Sequence, residues 1–250
     1  MRVRLTHLWR HPVKGHGVEP LEAVTLAAGA TMPWDRVWAI AVEGAKVAPG
    51  SRAWARCANF SRGAKSPALM AIRAVVDEGA GRVTLTHPRQ AAITVDPDDP
   101  ADAARLVAWV TPLADPGRAK PAFVVRAEVG MTDSPFPSVA VLNRASLAAL
   151  GERLGIDLAM ERFRGNLWVE GLAPFAEFDL VGREIRVGGA VLAVRGQITR
   201  CVATAVDPAT GVRDTDTLGG LEAGWGHRDF GVYAEVVSGG RVATGDAVVA

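Results

Sequence analysis

The sequence predicts a mainly β protein with a few helices (α+β), built as an N-terminal β-rich module and a barrel-like C-terminal domain. Three observations lead there. Short apolar runs alternate with Gly, Pro and Asp punctuation along both halves, the pattern of strands joined by turns. Only two stretches carry apolar residues at helical spacing. A Pro- and Gly-rich connection, TPLADPGRAKP from Thr111 to Pro121, divides the chain into modules over residues 1–115 and 116–250. A closed sheet is the simplest way for many short strands to avoid exposed edges.

In the N-terminal half the expected strands are Val24 to Leu26, Val37 to Val42, Leu69 to Val76, Val83 to Leu85 and Ala92 to Val95. The segment DPDDPADAARLVAWV then reads as a short helix capped by Asp102, with Leu106, Val107 and Val110 recurring on one side. Beyond the connection, Val139 to Leu142 is a buried strand. NRASLAALGERLG follows as a helix with Asn143 as cap, Ser146, Leu147, Leu150 and Leu154 in register, and Gly155 as stop. Strands resume at Leu167 to Val169, Glu184 to Val187, Val191 to Val194, Val202 to Val206 and Gly231 to Val237, with hairpins at Gly188-Gly189 and Gly239-Gly240.

A chain of 250 residues with 49% hydrophobic and 22% charged residues buries a real core and is neither disordered nor fibrous. A formal net charge of +1 argues against a nucleic-acid partner, so any anion site must be a local cluster of cations. The start MRVRLTHLWRHP lacks a signal-length apolar run and no later segment reaches membrane-spanning length, so the expectation is a cytoplasmic protein with no membrane partner. In that compartment Cys57 and Cys201 remain thiols, and two cysteines cannot complete an all-cysteine zinc or iron–sulfur site. The five histidines lack metal-ligand spacing, although His11 and His16 flank Lys14.

A thiolate is the form of cysteine that attacks or ligates, and a neighbouring guanidinium favours it. Cys201 follows Arg200, but Cys57 equally follows Arg56, so local physics does not rank the two. What ranks them is the order of three segments, ERFRGNLWVEG, ITRCVATAVDPATG and DFGVYAEVVSGGRVATGD. Together they resemble the MOSC domain, the molybdenum cofactor sulfurase C-terminal type. Upstream, HPVKG and WDRVWAI are similar to signatures of the β-barrel module that accompanies this domain in the mitochondrial amidoxime reducing component and its bacterial relatives.

The resemblance implies that Cys201 is the catalytic residue and the thiolate ligand of a molybdenum cofactor, Mo-molybdopterin, while Cys57 is structural. It implies that Lys14 and Arg36 pair with the cofactor's phosphate. Arg162 and Arg164, alternating along an expected strand, present two like charges on one face and call for an anion, with Asn166 continuing that face. Thr204 belongs to the Cys201 motif, as do Asp207 and Thr210, which equally form a good turn. Asp133 and Ser134 fall in a Pro-flanked loop where relatives place cofactor or active-site contacts. Gly15 stands where relatives commonly have Ser, and Gly165 where Pro is common. The reaction implied is reduction of a small N-hydroxylated substrate, with electrons from a separate ferredoxin, flavoprotein or cytochrome. A sulfur carrier with a Cys201 persulfide and a non-catalytic cofactor carrier remain alternatives.

Overall fold

The apolar runs become the spine of an eight-stranded sheet in the computed structural model, which describes residues 3–250. From edge to edge its strands are Val248–Val249, Glu184–Val187, Ala190–Thr199, Asp229–Ser238, Val139–Asn143, Leu167–Glu170, Arg4–Arg10 and Glu19–Leu21. The sheet curls into a half-barrel, and the protein is mainly β as expected. One face packs over a core that includes Leu5, Leu8, Val141, Leu167, Val169, Leu192 and Val232; the other covers Trp9, Leu142, Phe163, Trp168 and Phe230. Strand alternation produces these two faces.

Every neighbouring pair in this sheet is antiparallel except Val139–Asn143 with Leu167–Glu170. A parallel pair needs a long crossover. Having introduced α1 at Pro100–Val110, the chain supplies that crossover with α2 at Arg144–Leu154. Asn143 caps α2 by accepting from the Ala145 amide at 3.0 Å, and Gly155 ends it at φ 69°, both as the sequence indicates. Because Arg4–Arg10 runs antiparallel to Leu167–Glu170, the segments leaving the first strand, entering Val139–Asn143 and entering Leu167–Glu170 gather at one end of three adjacent strands. The site lies there.

The rest of the N-terminal half forms a three-stranded sheet (Arg73–Asp77, Arg82–His87, Gln90–Val95), the pair Trp38–Val42 with Pro121–Arg126, and α1. A separate core around Trp38, Ile72, Val83, Leu85, Leu106 and Val110 holds them. Strand Ala23–Leu26 pairs with Gly240–Ala243, so both ends of the sequence exchange strands.

Several elements differ from expectation. Asp99, not Asp102, caps α1, accepting from the Ala101 and Asp102 amides, because Pro100 fills the first helical position and fixes the start one turn earlier. Asp102 instead takes the Asp96 amide and Arg105. The Leu69 to Val76 strand begins only at Arg73, since Pro67 opens a 3-10 turn over Pro67–Ala71. Val202–Ala205 is likewise a 3-10 turn, with the Thr204 amide and hydroxyl both directed at the Cys201 carbonyl. Gly188-Gly189 makes its hairpin, but Gly239-Gly240 does not. There the chain crosses to Ala23–Leu26, and a Cβ on Gly240 would lie 2.2 Å from the Gly189 oxygen, so glycine serves close backbone passage. The strand Arg4–Arg10 and the helix α3, Thr217–Trp225, were not anticipated.

Candidate functional site

Lys14 follows the first strand through His11-Pro12-Val13, a segment laced to Trp38 by the Lys14 amide donating to the Trp38 carbonyl and the Trp38 amide donating to that of Pro12. Buried to 4% exposure, its ammonium donates to the Met131 and Thr132 carbonyls at 2.8 and 3.2 Å and to Asp133 Oδ1 at 2.6 Å. Burial pulls this lysine below its ordinary pKa, and Asp133 opposes that pull. Asp133 is exposed at its outer side, and the adjacent Lys14 and Arg36 charges hold its carboxyl below the usual carboxylate range.

Arg36 is held by the His11 carbonyl, which accepts its amide, and by Asp35, which takes its guanidinium. Its second nitrogen donates to the Arg164 carbonyl at 3.0 Å. Arg164 in turn reaches the Gly17 carbonyl at 2.9 Å. Both arginines adopt left-handed backbone, φ 54° and 47°, which costs a non-glycine residue on the order of 1–3 kcal/mol and gathers at functional sites. Burial, and then the neighbouring Arg36 charge, depress Arg164 below the ordinary guanidinium pKa. Against the cost of burial Asp35 compensates Arg36, whose pKa is raised, but Arg164 has only carbonyl partners, so its charge is incompletely compensated, a state that a bound anion relieves.

The expected strand face for Arg162, Arg164 and Asn166 is corrected. Met160–Phe163 is a 3-10 turn and the strand starts at Leu167, because the chain must first complete the crossover from α2. The three residues nevertheless converge, through the turn and the left-handed Arg164. Arg162 makes a bidentate pair with Asp214 at 2.7 and 2.6 Å, leaving its buried Nε without a partner. Asn166 bridges strands, accepting from the Ala140 amide and donating to the Trp9 carbonyl. Each of its polar atoms keeps one further bonding position.

Cys201 leaves the end of Ala190–Thr199 as an exposed free thiol. Arg200 makes no hydrogen bond to it: its Nε and Nη1 donate to the Phe230 and Phe163 carbonyls at 2.8 and 2.7 Å, and only its charge acts on the neighbouring sulfur. The guanidinium also lies over the stacked Phe163 and Phe230 rings. Thr204 is buried and shares its hydroxyl with Thr217 at 2.6 Å, bracing the turn after Cys201. Asp207 and Thr210 bond each other in a turn. Ser134 bonds Phe136 and Ser138 within its own loop.

One cavity of about 290 Å³ is lined by all seven residues singled out in the sequence: Lys14, Arg36, Arg162, Arg164, Asn166, Cys201 and Thr204. Asp133 also lines it. So do four residues that sequence reasoning left unassigned or assigned otherwise: Arg62, Cys57, Arg200 and Tyr233. Arg62 donates to Cys57 Sγ at 2.9 Å, so a guanidinium five residues away, not the adjacent Arg56, faces that sulfur. Loop residues have no periodicity to betray this. Tyr233, the chain's sole tyrosine, did stand inside a quoted motif. Six cationic side chains and one carboxylate thus line a cavity in a chain whose net charge is only +1. Such concentration focuses positive potential where water is limited and suits an anionic ligand. Among the described residues no three His, Cys, Asp or Glu side chains cluster as a metal cage.

Gly15 also lines this cavity, at φ +76°, and a Cβ there would sit 2.7 Å from the Ser61 oxygen. The missing serine hydroxyl therefore reflects a close backbone passage. At Gly165 a Cβ would first meet the Leu142 side chain, at 2.4 Å.

Comparison with known proteins finds the MOSC N-terminal beta barrel domain over residues 2–122 and the MOSC domain over residues 131–249. A molybdenum cofactor sulfurase of Anopheles gambiae is 34% identical over 105 residues, 37% of this chain and 13% of that protein. Mitochondrial amidoxime-reducing component 1 of Mus musculus is 35% identical over 96 residues, 38% of this chain and 27% of that protein. The chain thus spans a small part of either relative. The crystal structure of the YUAD protein from Bacillus subtilis aligns over 99% of this chain and 94% of its own, with a TM-score of 0.48 and 12% identity.

Proposed function

The chain belongs to the MOSC domain family, its first half a MOSC N-terminal beta barrel domain, and on that premise we propose that it is a molybdenum cofactor-binding oxidoreductase reducing N-hydroxylated compounds. One observation carries the reading: cations from both halves converge on a single cavity that also presents an exposed thiol. The residues fit the group. A pterin cofactor brings a phosphate and its own sulfur ligands for the metal, so the protein needs cations and one soft donor in place of a full metal cage. Arg36 and Arg164 would hold the phosphate directly, and Lys14, whose three ammonium N–H groups already meet Met131, Thr132 and Asp133, would add its charge; Arg162 keeps one buried donor, Nε, without a partner. Asn166 would use its remaining bonding positions on the pterin, while Thr204 fixes the backbone turn that aims Cys201. Cys201 would give its thiolate to the metal.

When bound, the cofactor supplies two-electron redox chemistry and accepts the substrate oxygen. The chain's own contribution is to bind, orient and neutralise charge. Arg36, Arg162, Arg164 and Arg200 are already pinned by carbonyls or carboxylates, so their charges would meet an anion without reorganisation. Electrons would come from a separate donor, a ferredoxin, flavoprotein or cytochrome. No helix among the described residues is long and apolar enough to cross a membrane.

Protein purified from a host that makes the cofactor should hold molybdenum near stoichiometry and reduce an aryl amidoxime with dithionite as donor. Cys201→Ala should lose metal and turnover while Cys57→Ala keeps both. Metal-free wild-type protein, or the reverse ranking of the two cysteines, overturns the proposal. Exposure of Cys201 favours a second reading, a persulfide carrier, which predicts a thiol-reversible added sulfur on Cys201 in protein without molybdenum.

A further inference from the structure

Between Glu43 and Asp77 the chain carries no carboxylate, yet it carries Lys46, Arg52, Arg56, Arg62, Lys65 and Arg73. Among the described residues only Arg73 of these six has a carboxylate partner, Glu161 at 3.6 Å. Lys46, Arg52, Arg56 and Lys65 are exposed. The same segment forms one wall of the cavity through Cys57, Arg62, Gly63, Ala64 and Met70. Arg62 thus lines the cavity, while Arg56 and Lys65 flank that wall as chain neighbours of the lining residues Cys57 and Ala64, with Arg52 and Lys46 further along the same segment and none of these four lining it.

The basic wall adjoins the Cys201 segment. Arg213 donates to the Ala64 carbonyl at 2.9 Å, joining the hairpin after Cys201 to the basic wall. The same segment carries two exposed apolar residues, Val202 at 39% next to Cys201 and Val212 at 59% next to Arg213. The carboxylates on this side are engaged: Asp207 by Thr210 and the Ala209 amide, Asp214 by Arg162, and Asp216 by the start of α3. On the other flank Glu128 is exposed near the Arg52 backbone and marks the limit of the basic region. A small apolar centre bordered by unpaired charge of one sign is the build of a transient, electrostatically steered interface.

We propose that this rim, from Arg52 through Lys65 to Val212 and Arg213, is the docking surface for an acidic electron-transfer protein that delivers electrons beside Cys201. The inference rests on the proposed reduction, which needs an external donor, and adds where that donor binds and what charge it presents. Complementary charge would gather the partner over the cavity mouth, and the exposed valines would give a short-range contact. A net charge of +1 for the whole chain favours such a local protein patch over a nucleic-acid surface.

The test uses the cofactor-loaded full chain and a plant-type [2Fe–2S] ferredoxin, an acidic one-electron donor, as probe. The triple variant Arg52→Glu, Arg56→Glu, Lys65→Glu changes no residue that lines the cavity. Calorimetric titration at low salt should show wild-type binding that weakens as salt rises, with the variant weaker by about tenfold or more. Ferredoxin-driven turnover should fall in parallel, while dithionite-driven turnover and molybdenum content stay at wild-type level. Equal binding by variant and wild type, no wild-type binding, or salt-insensitive binding overturns the proposal; so does tight binding of an RNA or DNA duplex with none of the ferredoxin. Failure of dithionite-driven turnover in the wild type strikes the proposed reduction alone, because the titration decides the docking surface by itself.

Discussion

Lowering the pH should loosen the floor beneath the cationic cavity before any carboxylate of the site is protonated. His11 and His16 are fully buried, and burial, reinforced by the nearby Arg164 charge, depresses them from 6.5 to about 3 and about 4. His11 lies against Asp35 and its carbonyl accepts the Arg36 amide; His16 Nδ1 is 2.7 Å from the Lys14 carbonyl. A histidine whose folded pKa is depressed stays neutral in the fold while the unfolded chain takes up a proton. Its contribution is therefore intact above about pH 6.5 and is lost as pH falls from there toward the folded value. At about 1.4 kcal/mol per pH unit, the loss between pH 7 and 5 is about 2 kcal/mol for each histidine and about 4 for the pair. That is a large part of the 5–15 kcal/mol typical of a domain. His7 and His87, also lowered by burial, act in the same sense, whereas Glu177, raised by burial, acts in the opposite one. Urea unfolding followed by tryptophan fluorescence at pH 7 and 5 measures the difference. The double variant His11→Gln, His16→Gln should show a flatter dependence than the wild type. Wild-type stabilities within about 1 kcal/mol of each other at the two pH values, or an unchanged slope in the variant, would refute the reasoning.

Two substitutions test the frame of the site. Asn166→Leu strips the Ala140 amide and the Trp9 carbonyl of their partner in a buried place, so urea unfolding should register a loss of about 2–4 kcal/mol; a loss under 1 would mean that the bridge is dispensable. Gly15→Ser forces a side chain into left-handed backbone and against the Ser61 oxygen, costing about 2–3 kcal/mol. It should also lower molybdenum content by displacing the adjacent Lys14; unchanged stability and metal would show that the Ser61–Arg62 backbone yields freely.

Much of the fold was legible where the determinants are local. Asn143 and Gly155 bound α2 because a cap and a left-handed stop depend on neighbouring residues alone. Gly188-Gly189 turns a hairpin for the same reason. Local reading failed where one short-range preference had to beat another. Asp99 displaced Asp102 through the proline that follows it, and Pro67 and Thr204 bent expected strands into 3-10 turns.

The sequence by itself determined which residues belong together, because the ordered motifs around Lys14, Arg36, Arg162 to Asn166 and Cys201 identify one family, and the cavity is lined by all of them. It did not determine how they meet. Arg162 and Arg164 converge through a crossover turn and a left-handed residue, a geometry imposed by the parallel pairing of Val139–Asn143 with Leu167–Glu170. Only the tertiary structure placed Arg62 on Cys57, turned Arg200 toward Phe163 and Phe230, and inserted Arg4–Arg10 into the sheet of the other half. The last two join residues far apart in the chain, and the first is a side-chain contact across a loop without periodicity, so no local dihedral or spacing preference encodes any of them.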